Sequence, residues 1–330
     1  MISERQIIAI LEGFAVGDAM GMPTEFMTRS QIAQEIGTID SLVESRLSAH
    51  HSDLAQGSVT DDTEQTLSLL THYLREGVTI TSTVEGLLAW IDESDAVAKR
   101  YIGPSSLKAL KAIKGGADPM TSGSGGTTCG GLMRSLAPTL YALSHALQWT
   151  EMLDLVVICL IPTHYTSQAL EAACAYSSAI ACAVGGGTVP EIIEAARTGG
   201  QYGLSQAPYI ACAASSIGRL DFIVEYLHTN RSEEELLDLL YFVLGTGLES
   251  ADIFAAVFAL FLFAPGDTFR SICLAAQVGG DTDTIAALVG GLNRAFHLDS
   301  PIPPEVIHQV RHTNDLPLEI LARSLVESTR

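Results

Sequence analysis

Two short segments carry the residue types from which an oxygen-ligated metal centre is built. Gly57-Ser58-Val59-Thr60-Asp61-Asp62-Thr63-Glu64 leads into an apolar helical pattern, and Gly279-Gly280-Asp281-Thr282-Asp283-Thr284 leads into Ile285-Ala286-Ala287. Taken singly, each reads as a helix start, where Asp and Thr cap orphan N–H groups and suit the positive end of the helix dipole. Together they exceed that need, because a cap uses one oxygen and each segment offers two aspartates with flanking threonines. Carboxylate and hydroxyl oxygens with no accompanying Cys or His suit a hard cation such as Mg²⁺ or Mn²⁺. If the segments meet, Asp61, Asp62, Asp281 and Asp283 would balance two divalent charges. Such a pair can orient a sugar diol, polarise a leaving oxygen and activate a water. Without cations the four carboxylates would repel one another, so the metal-free protein is expected to lose stability or order there.

Other groups invite a chemical reading, each beside a plainer one. Ser122-Gly123-Ser124-Gly125-Gly126-Thr127-Thr128-Cys129-Gly130-Gly131 is too long a glycine run for a helix cap. Its glycines would let backbone approach a diphosphate, with a helix N-terminus supplying N–H donors; alone, such a run is more often a flexible connection. Tyr101-Ile102-Gly103-Pro104 reads as a proline at a helix start. Thr163-His164 stands before another long helix, and His50-His51 falls in a loop with no third ligand at zinc spacing, so it reads as solvated.

The elements that must position these residues are helices. Ser3-Glu4-Arg5-Gln6 is a capping box, and Ile7, Ile8, Leu11, Phe14 and Ala15 follow at helical spacing. Comparable patterns cover Thr66–Arg75, Val84–Lys99, Leu132–Leu147, Gln168–Val184, Ala207–Leu227, Glu233–Leu244 and Thr284–Phe296. Thr79–Thr83 is the closest approach to a strand, and it is weak. The expectation is all-α. No linker or fixed repeat divides the 330 residues, so a single domain over 1–330 is expected.

Composition narrows the function classes. Hydrophobic residues make up 47% and charged residues 17%, which excludes a disordered chain. A net charge of −20 disfavours a nucleic-acid partner. The run Ile253–Ala264 is too short to cross a bilayer, and no secretory signal is visible. The six cysteines form no C-x-x-C pair and read as small hydrophobes in a reducing compartment. A soluble, cytoplasmic monomer without a membrane or nucleic-acid partner is expected.

Three motifs together resemble the ADP-ribosylglycohydrolase family: Gly17-Asp18-Ala19-Met20-Gly21-Met22-Pro23-Thr24-Glu25-Phe26, Thr60-Asp61-Asp62-Thr63, and Gly280-Asp281-Thr282-Asp283-Thr284. The resemblance implies an all-α orthogonal bundle with two Mg²⁺ or Mn²⁺ ions, held by Thr60, Asp61, Asp62, Asp281, Asp283 and Thr284. It implies that Glu25 sits near the scissile bond, as the carboxylate that manages protons, with Asp61 and Asp62 as the alternatives. Read singly, Glu25 is as readily a surface carboxylate after Pro23. The resemblance further assigns Gly103, Gly125, Gly126, Thr127, Thr128, Cys129, Gly130 and His164 to substrate binding. Cys129 stands where family members usually carry asparagine, which removes an amide donor and acceptor. The implied activity is hydrolysis of ADP-ribose from a modified protein or a small-molecule conjugate.

Two other readings compete. Cys129 favours a non-catalytic relative that binds ADP-ribose or metal. An all-α, Mg²⁺-dependent enzyme of the isoprenoid-synthase kind would also use Asp pairs, but Asp61-Asp62-Thr63-Glu64 places its last acid one position early for that chemistry.

Overall fold

The computed structural model describes residues 2–48, 50–94, 96 and 102–328. Tyr101 and the end of the helix expected at Lys99 lie outside them. The fold is all-α. Among the described residues there are eighteen α-helices, and the only β pairing is an isolated bridge between Thr166 and Tyr209. Thr79–Thr83 falls at the start of the helix Ile80–Ser94 instead of in a strand. The chain divides into two compact units, each assembled from separated segments.

One unit comprises Ile8–Thr63 and Gly218–Leu318. Its centre is the helix Ser250–Phe263, whose residues Ile253 to Phe261 are all buried. Thr268–Val278 and Thr282–Phe296 form a helix pair joined by Gly279-Gly280-Asp281. The first helix, Glu4–Gly21, lies along Thr282–Phe296 with its chain direction reversed, through a stripe of glycines four residues apart. A Cβ on Gly13 would come 2.7 Å from the carbonyl oxygen of Gly290. One on Gly17 would come 2.0 Å from that of Ala286, and one on Gly21 2.3 Å from that of Thr282. Only glycine allows backbones this close. The stripe therefore sets the end of the first helix, and the chain that follows it, against the start of Thr282–Phe296.

The first helix also qualifies by length and composition as a membrane span: Glu4–Thr24 has a mean hydropathy of 1.3, with 94% of the window buried inside the protein. It is thus a longer apolar segment than Ile253–Ala264, and its apolarity is used in packing.

The other unit comprises Met1–Ile7, Glu64–Ile217 and Glu319–Arg330. Its core is the helix pair Ser167–Val184 and Val189–Ser205, where Gly199 and Gly203 meet the backbone of Cys174 and Leu170. The helix expected over Ala207–Leu227 is shorter than its pattern: only Ser216–Tyr226 is helical. The preceding stretch is held extended, with Ser167 N donating to Tyr209 O at 2.8 Å and Ala211 N to Ser167 Oγ at 2.9 Å. The buried Glu171 caps the helix from outside by accepting from Ser216 N at 2.8 Å and Ser215 Oγ at 2.5 Å. A tertiary carboxylate decides that boundary. The pattern over Leu132–Leu147 likewise divides into Gly130–Arg134 and Leu136–Ser144. Cys129, Cys159 and Cys174 are buried as expected of small hydrophobes, whereas Cys212 is exposed.

Candidate metal centre and glycine-rich loop

The carboxylates converge because three chain segments are locked onto one helix start. Thr24, in the short turn Met22–Thr24 after the first helix, donates its hydroxyl to the Ala276 carbonyl at 2.7 Å and lies 3.0 Å from Thr282 Oγ1. Thr282 Oγ1 donates back to the Gly21 carbonyl at 2.9 Å. Two backbone bonds bracket the next residues: Phe26 N to Gly280 O at 2.7 Å and Gly280 N to Met27 O at 3.1 Å. Gly280 has φ +85°, and a Cβ there would lie 2.1 Å from Thr246 O, the acceptor of the Asp281 N–H at 2.8 Å. Glu25, Asp281 and Asp283 thereby come together, each offering an oxygen within 4.8 Å of the others. All three are buried, so Glu25 is not a surface carboxylate.

The second acidic segment arrives through Asp18. This aspartate is wholly buried on the first helix, and its carboxylate accepts from four donors of the 60–63 turn. They are Thr60 N at 3.0 Å, Thr60 Oγ1 at 2.8 Å, Thr63 N at 3.1 Å and Thr63 Oγ1 at 2.5 Å. The turn so held starts the helix Asp61–Glu76 and presents Asp62 to Thr284, whose Oγ1 donates to Asp62 Oδ2 at 3.2 Å. Thr60 Oγ1 lies 3.5 Å from the same oxygen. Asp61, one residue earlier, is half-buried. The two distant segments of the sequence are therefore one site.

Asp18 and His51 are the residues that sequence reasoning passed over. Asp18 was visible as an acid in the middle of an otherwise apolar helical face between Gly17 and Gly21, a place where a carboxylate needs a specific partner. His51 is buried, not solvated: its backbone N–H reaches Ser48 Oγ at 3.0 Å and its Nε2 lies 2.5 Å from Glu25 Oε2. Its neighbour His50 is exposed and packs edge-on against Phe26, with ring centroids 5.1 Å apart. No local pattern marks one of two adjacent histidines as buried.

Burial and mutual repulsion push these carboxyls up. Asp18 rises to about 7 through burial and the charge of Asp283, opposed by the hydrogen bonds from Thr63 and Thr60. Glu25 rises well above its ordinary value through burial and the charges of Asp283 and Asp18. Asp62 rises likewise, through burial and then Asp283, Asp18, Asp61 and Asp281. Burial lowers His51, partly offset by Asp283, Asp18 and Asp53.

A carboxyl raised on folding holds a proton that the unfolded chain releases. Its stabilisation is complete below the unfolded value near 4 and is lost as pH rises through the folded value. The melting temperature of the metal-free protein is therefore expected to fall between about pH 4 and about pH 7, the interval between the unfolded and folded values of Asp18. Adding Mg²⁺ should release protons and remove that fall. A melting temperature rising across the window in chelator would contradict the assignment.

A divalent cation fits these residues on an independent observation. Asp62 Oδ1 and Asp283 Oδ1 are buried with no hydrogen-bond partner among the described residues. A buried carboxylate oxygen left unpaired is costly, and a hard cation is the partner that oxygen-only donors select.

The residues assigned to substrate binding lie in the other unit. Gly103 caps the helix Pro104–Lys114, and Gly125 faces open space. At Gly126 the glycine answers the fold: a Cβ would lie 2.0 Å from the Thr163 carbonyl. Close approach to protein backbone, not to a ligand, explains that residue. Thr127 is half-buried, Thr128 and Cys129 are buried, and Gly130 opens the helix Gly130–Arg134.

His164 is buried behind the loop. Its Nδ1 lies 3.0 Å from Arg134 Nη2, which can only donate, so the proton sits on Nε2 and is given to Thr128 Oγ1 at 3.0 Å. Burial and the Arg134 charge hold this imidazole well below its ordinary value, hence neutral. Arg134 also donates to Gln65 at 3.1 Å, Ser106 at 3.0 Å and Thr163 at 2.9 Å. Replacing Arg134 by Met should strand these acceptors and cost about 3 kcal/mol in urea unfolding; a loss under about 0.5 kcal/mol would contradict the reading.

Comparison with known proteins bears on the family and the fold. The profile of the ADP-ribosylglycohydrolase family matches residues 2–330. The protein YegU of Escherichia coli is 30% identical over 99% of this chain and 98% of its own length. A protein of Archaeoglobus fulgidus is 31% identical over 86% of this chain and 85% of its own. The ADP-ribosylarginine hydrolase Tri1 of Pseudomonas putida is 25% identical, covering 95% of this chain and 77% of its own. A solved structure described as an ADP-ribosylglycohydrolase-related protein complex shares the fold, with a TM-score of 0.73 and 23% identity over 99% of both chains.

Proposed function

Because the chain belongs to the ADP-ribosylglycohydrolase family, we propose that it hydrolyses the bond between the anomeric carbon of an ADP-ribose and a nitrogen or oxygen of its acceptor. The observation that carries this reading is the meeting of Glu25, Asp281 and Asp283 within 4.8 Å, beside the orphaned oxygens of Asp62 and Asp283. Glu25, Asp62, Asp281 and Asp283, with Thr60, Asp61 and Thr284 around them, would hold two divalent cations, Mg²⁺ or Mn²⁺. Bound there, the cations supply positive charge that orients sugar hydroxyls and steadies the transition state.

The chain's own groups do the rest. His51 fixes one oxygen of Glu25, leaving the carboxyl to exchange a proton with water and the departing acceptor. Water adds to the anomeric carbon, the bond to the acceptor breaks, and the proton passes to the acceptor atom. Asp18 orders Thr60 and Thr63 and so holds Asp62 in place. The loop of Gly125, Gly126, Thr127, Thr128, Cys129 and Gly130, with Gly103, is proposed to take up the ADP-ribose. His164, wholly engaged behind it, orients the Thr128 hydroxyl. The name of the Pseudomonas putida relative places a guanidinium nitrogen first among acceptors to try.

The test is a panel of ADP-ribosylated peptides differing only in the linked atom, incubated with Mg²⁺ or Mn²⁺ and read by chromatography of free ADP-ribose. Release from at least one peptide, lost in chelator, is expected. Release that persists in chelator refutes the metal-dependent reading. A second reading, binding without turnover, is favoured by buried Cys129 in place of the usual asparagine; calorimetric binding of ADP-ribose with no release from any peptide would support it.

A further inference from the structure

A groove on the unit that carries the carboxylates is unused by this chemistry. One cleft of about 640 Å³ is lined by Arg29, Glu233, Glu234, Asp238, Phe242 and Leu274 among others. A second, of about 530 Å³, adds Asp40, Asp267 and Arg270 and shares Thr38, Glu233, Leu274 and Gln277 with the first. The shared wall makes them one elongated groove. It holds five carboxylates against two guanidiniums. Arg29 pairs with Glu234 and Asp238, and Arg270 with Glu233, so excess negative charge remains.

At one end the helix Glu233–Leu239 passes into a π turn, Leu240–Leu244, which leaves Phe242 71% and Val243 69% exposed. Two large apolar side chains standing side by side in water mark a contact surface, and π turns recur at functional sites. Tyr241 packs edge-on against Phe242 and also lies against Gly279, as does the backbone of Arg29. The groove thus ends at the turn that delivers Asp281. An acidic groove ending in an exposed ring fits a cationic chain, whose charges are drawn by the carboxylates and whose guanidinium or ammonium can lie on the ring. A second copy of this chain, with its net charge of −20, would be repelled, as would a nucleic acid or an anionic membrane.

We propose that this groove docks a basic, extended segment of the protein that carries the ADP-ribose. The proposal rests on the hydrolase reading for the identity of the partner, not for the binding. The experiment uses a labelled arginine-rich peptide and an acidic counterpart, followed by fluorescence anisotropy at low and high salt. Wild-type protein should bind the basic peptide alone, more weakly as salt rises. The double variant Asp40→Lys with Glu234→Lys should bind about tenfold more weakly, and Phe242→Ser a few-fold more weakly. Turnover of a small ADP-ribose conjugate should be unchanged in all of them.

Equal affinity of wild type and the double variant, or no binding at low salt, would overturn the proposal. So would self-association of the wild type that Phe242→Ser abolishes. If no form turns over the small conjugate while peptide binding behaves as stated, the hydrolase reading fails and the groove assignment stands.

Discussion

Asp283→Asn is expected to lower kcat/KM for ADP-ribose release by about a thousandfold or more, the rate equivalent of the several kcal/mol a catalytic cation supplies. The substitution keeps the shape of the side chain and removes one charge. Its effect on stability should depend on metal. Asp283 is a charge that raises Asp18, Glu25 and Asp62 together, so its removal relieves repulsion in the metal-free protein. In chelator the variant should therefore be more stable than wild type by about 1 kcal/mol, and in saturating Mg²⁺ less stable. A purely structural aspartate would lose stability in both. Urea unfolding with and without Mg²⁺, beside the release assay, separates the two outcomes.

Gly17→Ala is expected to cost about 3 kcal/mol, at the upper end for an overpacked core. Its Cβ would lie 2.0 Å from the Ala286 carbonyl oxygen and 2.7 Å from the Ala287 nitrogen, both backbone atoms that cannot turn aside. The helices must part, and Met22–Glu25 then loses its seat on Thr282–Asp283. Activity should fall with stability. Gly125→Ala serves as the control, because nothing lies within 4 Å of where its Cβ would stand; it should change stability by less than about 0.5 kcal/mol. Equal urea midpoints for the two variants would show that the glycine stripe does not set the helix spacing.

Much of this site was legible in the sequence because its residues violate local expectation. Paired aspartates and threonines at two helix starts exceed what capping requires, and that excess points to cations from the sequence alone. The helical class was equally plain from Ala- and Leu-rich periodicity. What remained hidden depends on contacts far apart in sequence. His51 looks like its exposed neighbour His50 until the fold sets it against Glu25. The helix over Ser216–Tyr226 starts where Glu171 caps it, some 45 residues away, and not where its apolar pattern begins. The glycine run illustrates the opposite error, since Gly126 reads as a ligand cradle and is in fact required by the Thr163 carbonyl.

On the proposed function, Glu25, Asp62, Asp281 and Asp283 enclose divalent cations. Anomalous diffraction from crystals grown with Mn²⁺ tests it most directly. Two manganese peaks bounded by those four carboxylates are expected, and neither should appear in Asp283→Asn. Crystals in which this cluster binds no manganese, or in which the metal sits on other residues, would rule it out.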